Sequence, residues 1–116
     1  MEDYINLTTF QNLPVELQYA IADNWTIEEV FKVLENYNRP LNYHERFFKT
    51  YLETRKNQYT DVLMQDGPIE VARRGDLFGV QWLADNNEFV DNIWVHRAAK
   101  ESGNHDLVDW LDSRIN

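Results

Sequence analysis

The chain has 116 residues, a formal net charge of -9, four Trp, six Tyr and six Phe, and no Cys. The apolar and aromatic content is enough for a hydrophobic core and excludes a disordered chain. The negative balance disfavours nucleic acid and anionic membrane as partners, and the lack of Cys excludes disulfides and thiolate metal sites.

Charge is unevenly placed. Residues 1–38 hold seven acids and one base, residues 39–74 five acids and seven bases, and residues 75–116 eight acids and three bases. No apolar run approaches the length of a membrane span. The start, Met1-Glu2-Asp3-Tyr4, lacks a signal-peptide pattern, so a cytoplasmic protein is expected.

Pro14 suits the first turn of a first helix, in which Leu13, Leu17, Ala20 and Ile21 share one face and which Asn24 and Trp25 end. Thr26-Ile27-Glu28-Glu29 is a capping box that opens a second helix, with Ile27, Val30, Phe31, Leu34 and Tyr37 as its apolar stripe. Asn36 to Pro40 turns the chain. Asn42 and Glu45 repeat the cap for a third helix to about Gln58, whose buried face is expected to be Tyr43, Phe47, Phe48, Tyr51 and Leu52. Arg46, Lys49 and Lys56 form a basic stripe on another face, solvated or paired with acids. Residues 59–67 carry no clear signal until Asp66-Gly67-Pro68, a turn.

The C-terminal part repeats itself. Gly75-Asp76-Leu77-Phe78-Gly79-Val80-Gln81-Trp82-Leu83 aligns with Gly103-Asn104-His105-Asp106-Leu107-Val108-Asp109-Trp110-Leu111, so that Gly, Val, Trp and Leu recur 28 residues apart. A short helical segment precedes each block, and each Gly sits where a helix stops and turns back, which makes two helix–turn–helix units. Trp82 and Trp110, matched between the units, are expected to pack between helices.

These residues resemble the ankyrin-repeat family over about residues 68–115. Val95-His96-Arg97-Ala98-Ala99 looks like that family's first-helix signature, and Gly75 to Leu83 like its turn and second helix, in a form common in large DNA viruses. The resemblance implies that His96 serves the structure by bonding loop backbone. The usual repeat is about 33 residues, so the offset here leaves little room for the hairpin finger that often binds partners, and Pro68 to Ala72 is a degraded first-helix motif. Leu13-Pro14-Val15-Glu16-Leu17, followed by Ile21, resembles the opening of an F-box over about residues 10–55. That likeness implies that Leu13, Pro14, Leu17 and Ile21 contact the Skp adaptor of cullin ubiquitin ligases. The order, F-box first and ankyrin repeats after, is one seen in giant-virus proteins, for which the host cytoplasm is the expected location.

Two such repeats need further packing. The expected architecture is therefore all-α with about seven helices: an N-terminal helical unit (1–62) packed on two shortened ankyrin-like hairpins (63–116), sharing a single continuous core. No catalytic, cofactor or metal motif emerges. His44, His96 and His105 lack metal spacing, and Ser102 and Ser113 lack a nucleophile motif. His105 with Asp106 and Asp109 is the only seed for an enzyme, and a capped helix start explains it. The expected function is a non-enzymatic protein-interaction module that uses exposed concave helices and two aromatics, Trp25 and Trp94. The alternatives are an F-box-type adaptor and a self-associating structural protein, for instance in a virion.

Overall fold

The computed structural model describes residues 10–115, and its recurring capping residues and apolar stripes give an all-α chain. Six helices follow one another among these residues: α1 Val15–Ala22, α2 Ile27–Leu34, α3 Tyr43–Arg73, α4 Leu77–Asp85, α5 Ile93–Ser102 and α6 His105–Ile115. None is long and apolar enough to cross a membrane. α3 is interrupted at Gly67, whose φ of 82° and ψ of 169° lie outside the helical region. Counted on either side of that break, the segments number seven. The helix runs past the expected end near Gln58 to Asp66 because nothing between Tyr43 and Asp66 breaks it, while Leu63, one turn beyond Tyr59, is fully buried.

The chain divides into two compact units, the first reaching Asn57 and the second starting at Gln58. Buried residues form two clusters, one in each unit. Phe10, Ala22, Trp25, Val30, Val33, Tyr37, Phe48 and Leu52 make the first. The second runs from Leu63 through Val80, Leu83 and Val95 to Leu107 and Leu111.

In the first unit, both caps form as the sequence implies. Thr26 Oγ1 accepts from the Glu29 N–H at 3.2 Å, and Glu29 Oε1 accepts from the Thr26 N–H at 2.7 Å. Asn42 Oδ1 accepts from the Glu45 N–H at 2.8 Å and Glu45 Oε1 from the Asn42 N–H at 3.0 Å. Glu45 also takes a bond from Arg39 Nη2 at 2.6 Å. The Arg39 bond first, and the Asn42 backbone second, hold the Glu45 carboxyl below its ordinary value of 4.5. At acidic pH the unfolded chain then binds the extra proton, so Glu45 stabilises the fold fully above about pH 4.5 and loses that contribution as pH falls through the lowered value. Glu45→Gln keeps an oxygen for the Asn42 N–H but loses the charge that pairs with Arg39, so it should cost up to about 1 kcal/mol at neutral pH. In urea titrations its midpoint should converge on that of the parent as pH falls below about 4.

In the second unit, the two predicted turns form on left-handed glycines, Gly75 at φ 74° and Gly103 at φ 80°, where a side chain would be strained. Asn104 links them: its Nδ2 donates to Gly75 O at 2.7 Å, while its Oδ1 accepts from the N–H groups of Asp106 and Leu107 at the start of α6. Val80, Leu83 and Leu111 are fully buried, and Val108, Trp82 and Trp110 pack against the same cluster. The link between α4 and α5, residues 86–92, contains no strand.

Candidate functional site

Among the described residues of the second unit, the most exposed large apolar ones lie at the start of α5 and in the link just before it. Asn92 fixes their backbone: its Oδ1 accepts from the Trp94 and Val95 N–H groups, both at 3.0 Å, and its Nδ2 donates to Phe89 O at 3.3 Å. Val90 and Val95 anchor the loop and the helix in the core. Phe89, Ile93 and Trp94 are left outside, with 69%, 62% and 58% of their surface exposed. The Arg97 guanidinium lies over the Trp94 ring at 5.3 Å, within cation–π range.

Beside Ile93, a concavity of about 450 Å³ is lined by Asp91, Asn92, Ile93, His96 and Arg114. Arg114 donates to Asp91 through Nε at 2.9 Å and Nη2 at 3.2 Å and covers the Trp110 ring at 4.8 Å. The Asp91 hydrogen bond first, with the Asp91 and Asp85 charges adding to it, raises the Arg114 pKa above its ordinary value. His96 does not bond loop backbone as expected. Its Nδ1 lies 3.4 Å from Asp112 Oδ1 on α6, and its Nε2 is buried without a hydrogen-bond partner. The α5–α6 packing, rather than the loop, sets the imidazole's surroundings.

The other predicted contact residues divide. Trp25, expected at the surface, is buried: its ring packs on Phe10 at 5.3 Å and Phe48 at 6.0 Å. Arg55 fastens that corner by donating to Ala22 O at 2.5 Å and Trp25 O at 3.0 Å, which neutralises carbonyls at the end of α1. α1 turns Ala22 and Tyr19 inward, with Tyr19 against Phe48 and Tyr51 at 5.2 and 5.1 Å. Its other face carries Leu17 and Ile21, 50% and 40% exposed, beside an exposed Pro14 and a half-buried Leu13.

Tyr43 and Phe47, assigned to the buried face of α3, stand outside it, stacked edge to face at 4.8 Å. Phe48 and Leu52, assigned to the same face, are buried as expected. The basic stripe is split: Arg46 and Lys49 line a shallow concavity with Pro40, Leu41 and Thr50, whereas Lys56 sits over the Phe31 ring at 5.0 Å.

No family model, curated protein or solved structure matches this chain. The likenesses to ankyrin repeats and to an F-box therefore rest on sequence pattern. Among the described residues, no group of three or more His, Asp or Glu side chains is placed to hold a metal ion. His105, Asp106 and Asp109 are all exposed along the first turns of α6, and they line neither concavity described above.

Proposed function

We propose that the chain is a non-catalytic protein-interaction module whose contact surface centres on Phe89, Ile93 and Trp94. The carrying observation is that three large apolar side chains within a six-residue stretch, on backbone pinned by Asn92, are left exposed. Contiguous exposed apolar residues mark interaction surfaces, and Trp is among the residues that dominate binding energy. The stacked turns at Gly75 and Gly103 support an ankyrin-like reading of the second unit, with contact shifted from hairpin fingers to the start of α5. The net charge of -9 favours a protein over nucleic acid as partner.

The outward face of α1 supports a second reading, an F-box-type adaptor, because Leu17, Ile21 and Pro14 are available for contact. One experiment separates the two. A photo-crosslinking residue is placed at Trp94, at Leu17 or, as a control, at Lys100, and the full chain is expressed in its native cell. Crosslinking of a protein at position 94 and not at 100 is the expected result. Crosslinking at position 17 to the Skp adaptor would favour the adaptor reading, and no crosslink at 94 or 17 would remove both.

A further inference from the structure

The same face carries a charge pattern that specifies its partner further, an inference that rests on the interaction reading above. Four carboxylates lie near this stretch, either in the chain or across from α5. Glu88 precedes Phe89 in the chain, Asp91 lies between Phe89 and Ile93, Asp112 reaches His96 from α6, and Asp85 is the last residue of α4, four before Phe89. The nearby cations are already engaged: Arg114 is held bidentate by Asp91, and Arg97 is stacked on Trp94. Asp85 and Glu88 form no ion pair among the described residues.

We infer that this face receives a basic amphipathic segment of another protein, with its apolar side chains on Phe89, Ile93 and Trp94 and its Lys or Arg side chains toward Asp85, Glu88 and Asp112. Charge complementarity selects this occupant. A symmetric contact with a second copy would oppose the same carboxylates to one another, and a phosphate-bearing surface would meet them with like charge. An apolar but uncharged segment would bury Trp94 and leave Asp85 and Glu88 desolvated without partners.

The test is an NMR titration of the full chain with a synthetic peptide carrying Lys and Leu at helical spacing, and with the same peptide bearing Glu for every Lys. With the Lys peptide, amide shifts should centre on residues 85–97 and 110–114, and the Glu peptide should give none. Trp94→Ser, at a position more than half exposed, should keep the native spectrum and weaken binding by about tenfold or more. The double variant Asp85→Asn, Glu88→Gln should weaken it while leaving the spectrum of the free chain otherwise unchanged. Equal binding of the Glu peptide, or binding undiminished in Trp94→Ser, would overturn the inference. Shifts centred on Leu17 and Ile21 would also overturn it, while leaving the interaction reading to the crosslinking result. Concentration-dependent changes at residues 85–97 without peptide would assign the face to a second copy and overturn it as well.

Discussion

Phe48→Ala should destabilise the first unit by about 3–5 kcal/mol, while Phe47→Ala, one residue away, should change stability by less than about 1 kcal/mol. Phe48 is 2% exposed and sits at the centre of an aromatic cluster, with ring centroids at 5.5 Å to Phe10, 5.2 Å to Tyr19 and 6.0 Å to both Trp25 and Tyr51. Truncation removes a large buried ring and leaves a cavity that four neighbouring rings cannot close without leaving their rotamers. It also removes edge and tilted ring contacts, each worth about 0.5–1.5 kcal/mol beyond area. Phe47 is 55% exposed, and among the described residues its ring contact is with the outlying Tyr43, so its truncation removes little buried surface. Urea unfolding followed by far-UV circular dichroism reads both variants. Similar midpoints for the two would mean that the helix presents a different face to its core.

That contrast shows where the sequence was legible and where it was not. Caps are local, and the Thr26–Glu29 and Asn42–Glu45 boxes needed only neighbouring residues, so their types and spacing announced them. The turns at Gly75 and Gly103 were equally legible, because they repeat with Val, Trp and Leu in register. The orientation of α3 was not. Tyr43, Phe47, Phe48, Tyr51 and Leu52 wrap too far around a helix for periodicity to choose a side. Tyr19, Trp25 and Phe10 made that choice by packing on Phe48, and Trp25 was buried by the same contact although nothing local distinguishes it from Trp94.

The site was half visible. Trp94 was singled out, but Phe89 and Ile93 were not, because their exposure depends on Asn92 bonding both Phe89 O and the first turn of α5. An Asn directly before an apolar helix start is a capping signal, and it could have been read that way. His96 shows the opposite failure: a motif suggested its partner, and the packing of α6 gave it another. The Tyr59–Asp76 bond joins residues 17 apart across the break at Gly67, and no local pattern signals it.

Gly79→Ala should destabilise the second unit by about 1–3 kcal/mol, the reverse of the stabilisation of about 1 kcal/mol that replacing a helical glycine ordinarily gives. Gly79 lies in α4 with a helical backbone, so conformational strain is not the cause. The added Cβ would fall 2.5 Å from Asp76 Oδ2 and 2.8 Å from Leu63 Cδ2. Neither neighbour can yield cheaply. Asp76 is fixed at both oxygens: Oδ1 caps α4 by accepting from the Gly79 N–H at 3.0 Å, and Oδ2 accepts from the Tyr59 hydroxyl at 2.7 Å. Leu63 is fully buried in the cluster that α4 completes. Relief must therefore come from a broken cap or a displaced core side chain. A double-mutant cycle identifies which. If the clash with Asp76 dominates, Gly79→Ala should cost markedly less in an Asp76→Ala background, whose own cap is already lost. If Leu63 dominates, the relief should appear with Leu63→Ala instead. Additive behaviour in both cycles, or a stabilised single variant, would show that α4 does not approach Leu63 and Asp76 as closely as the glycine implies.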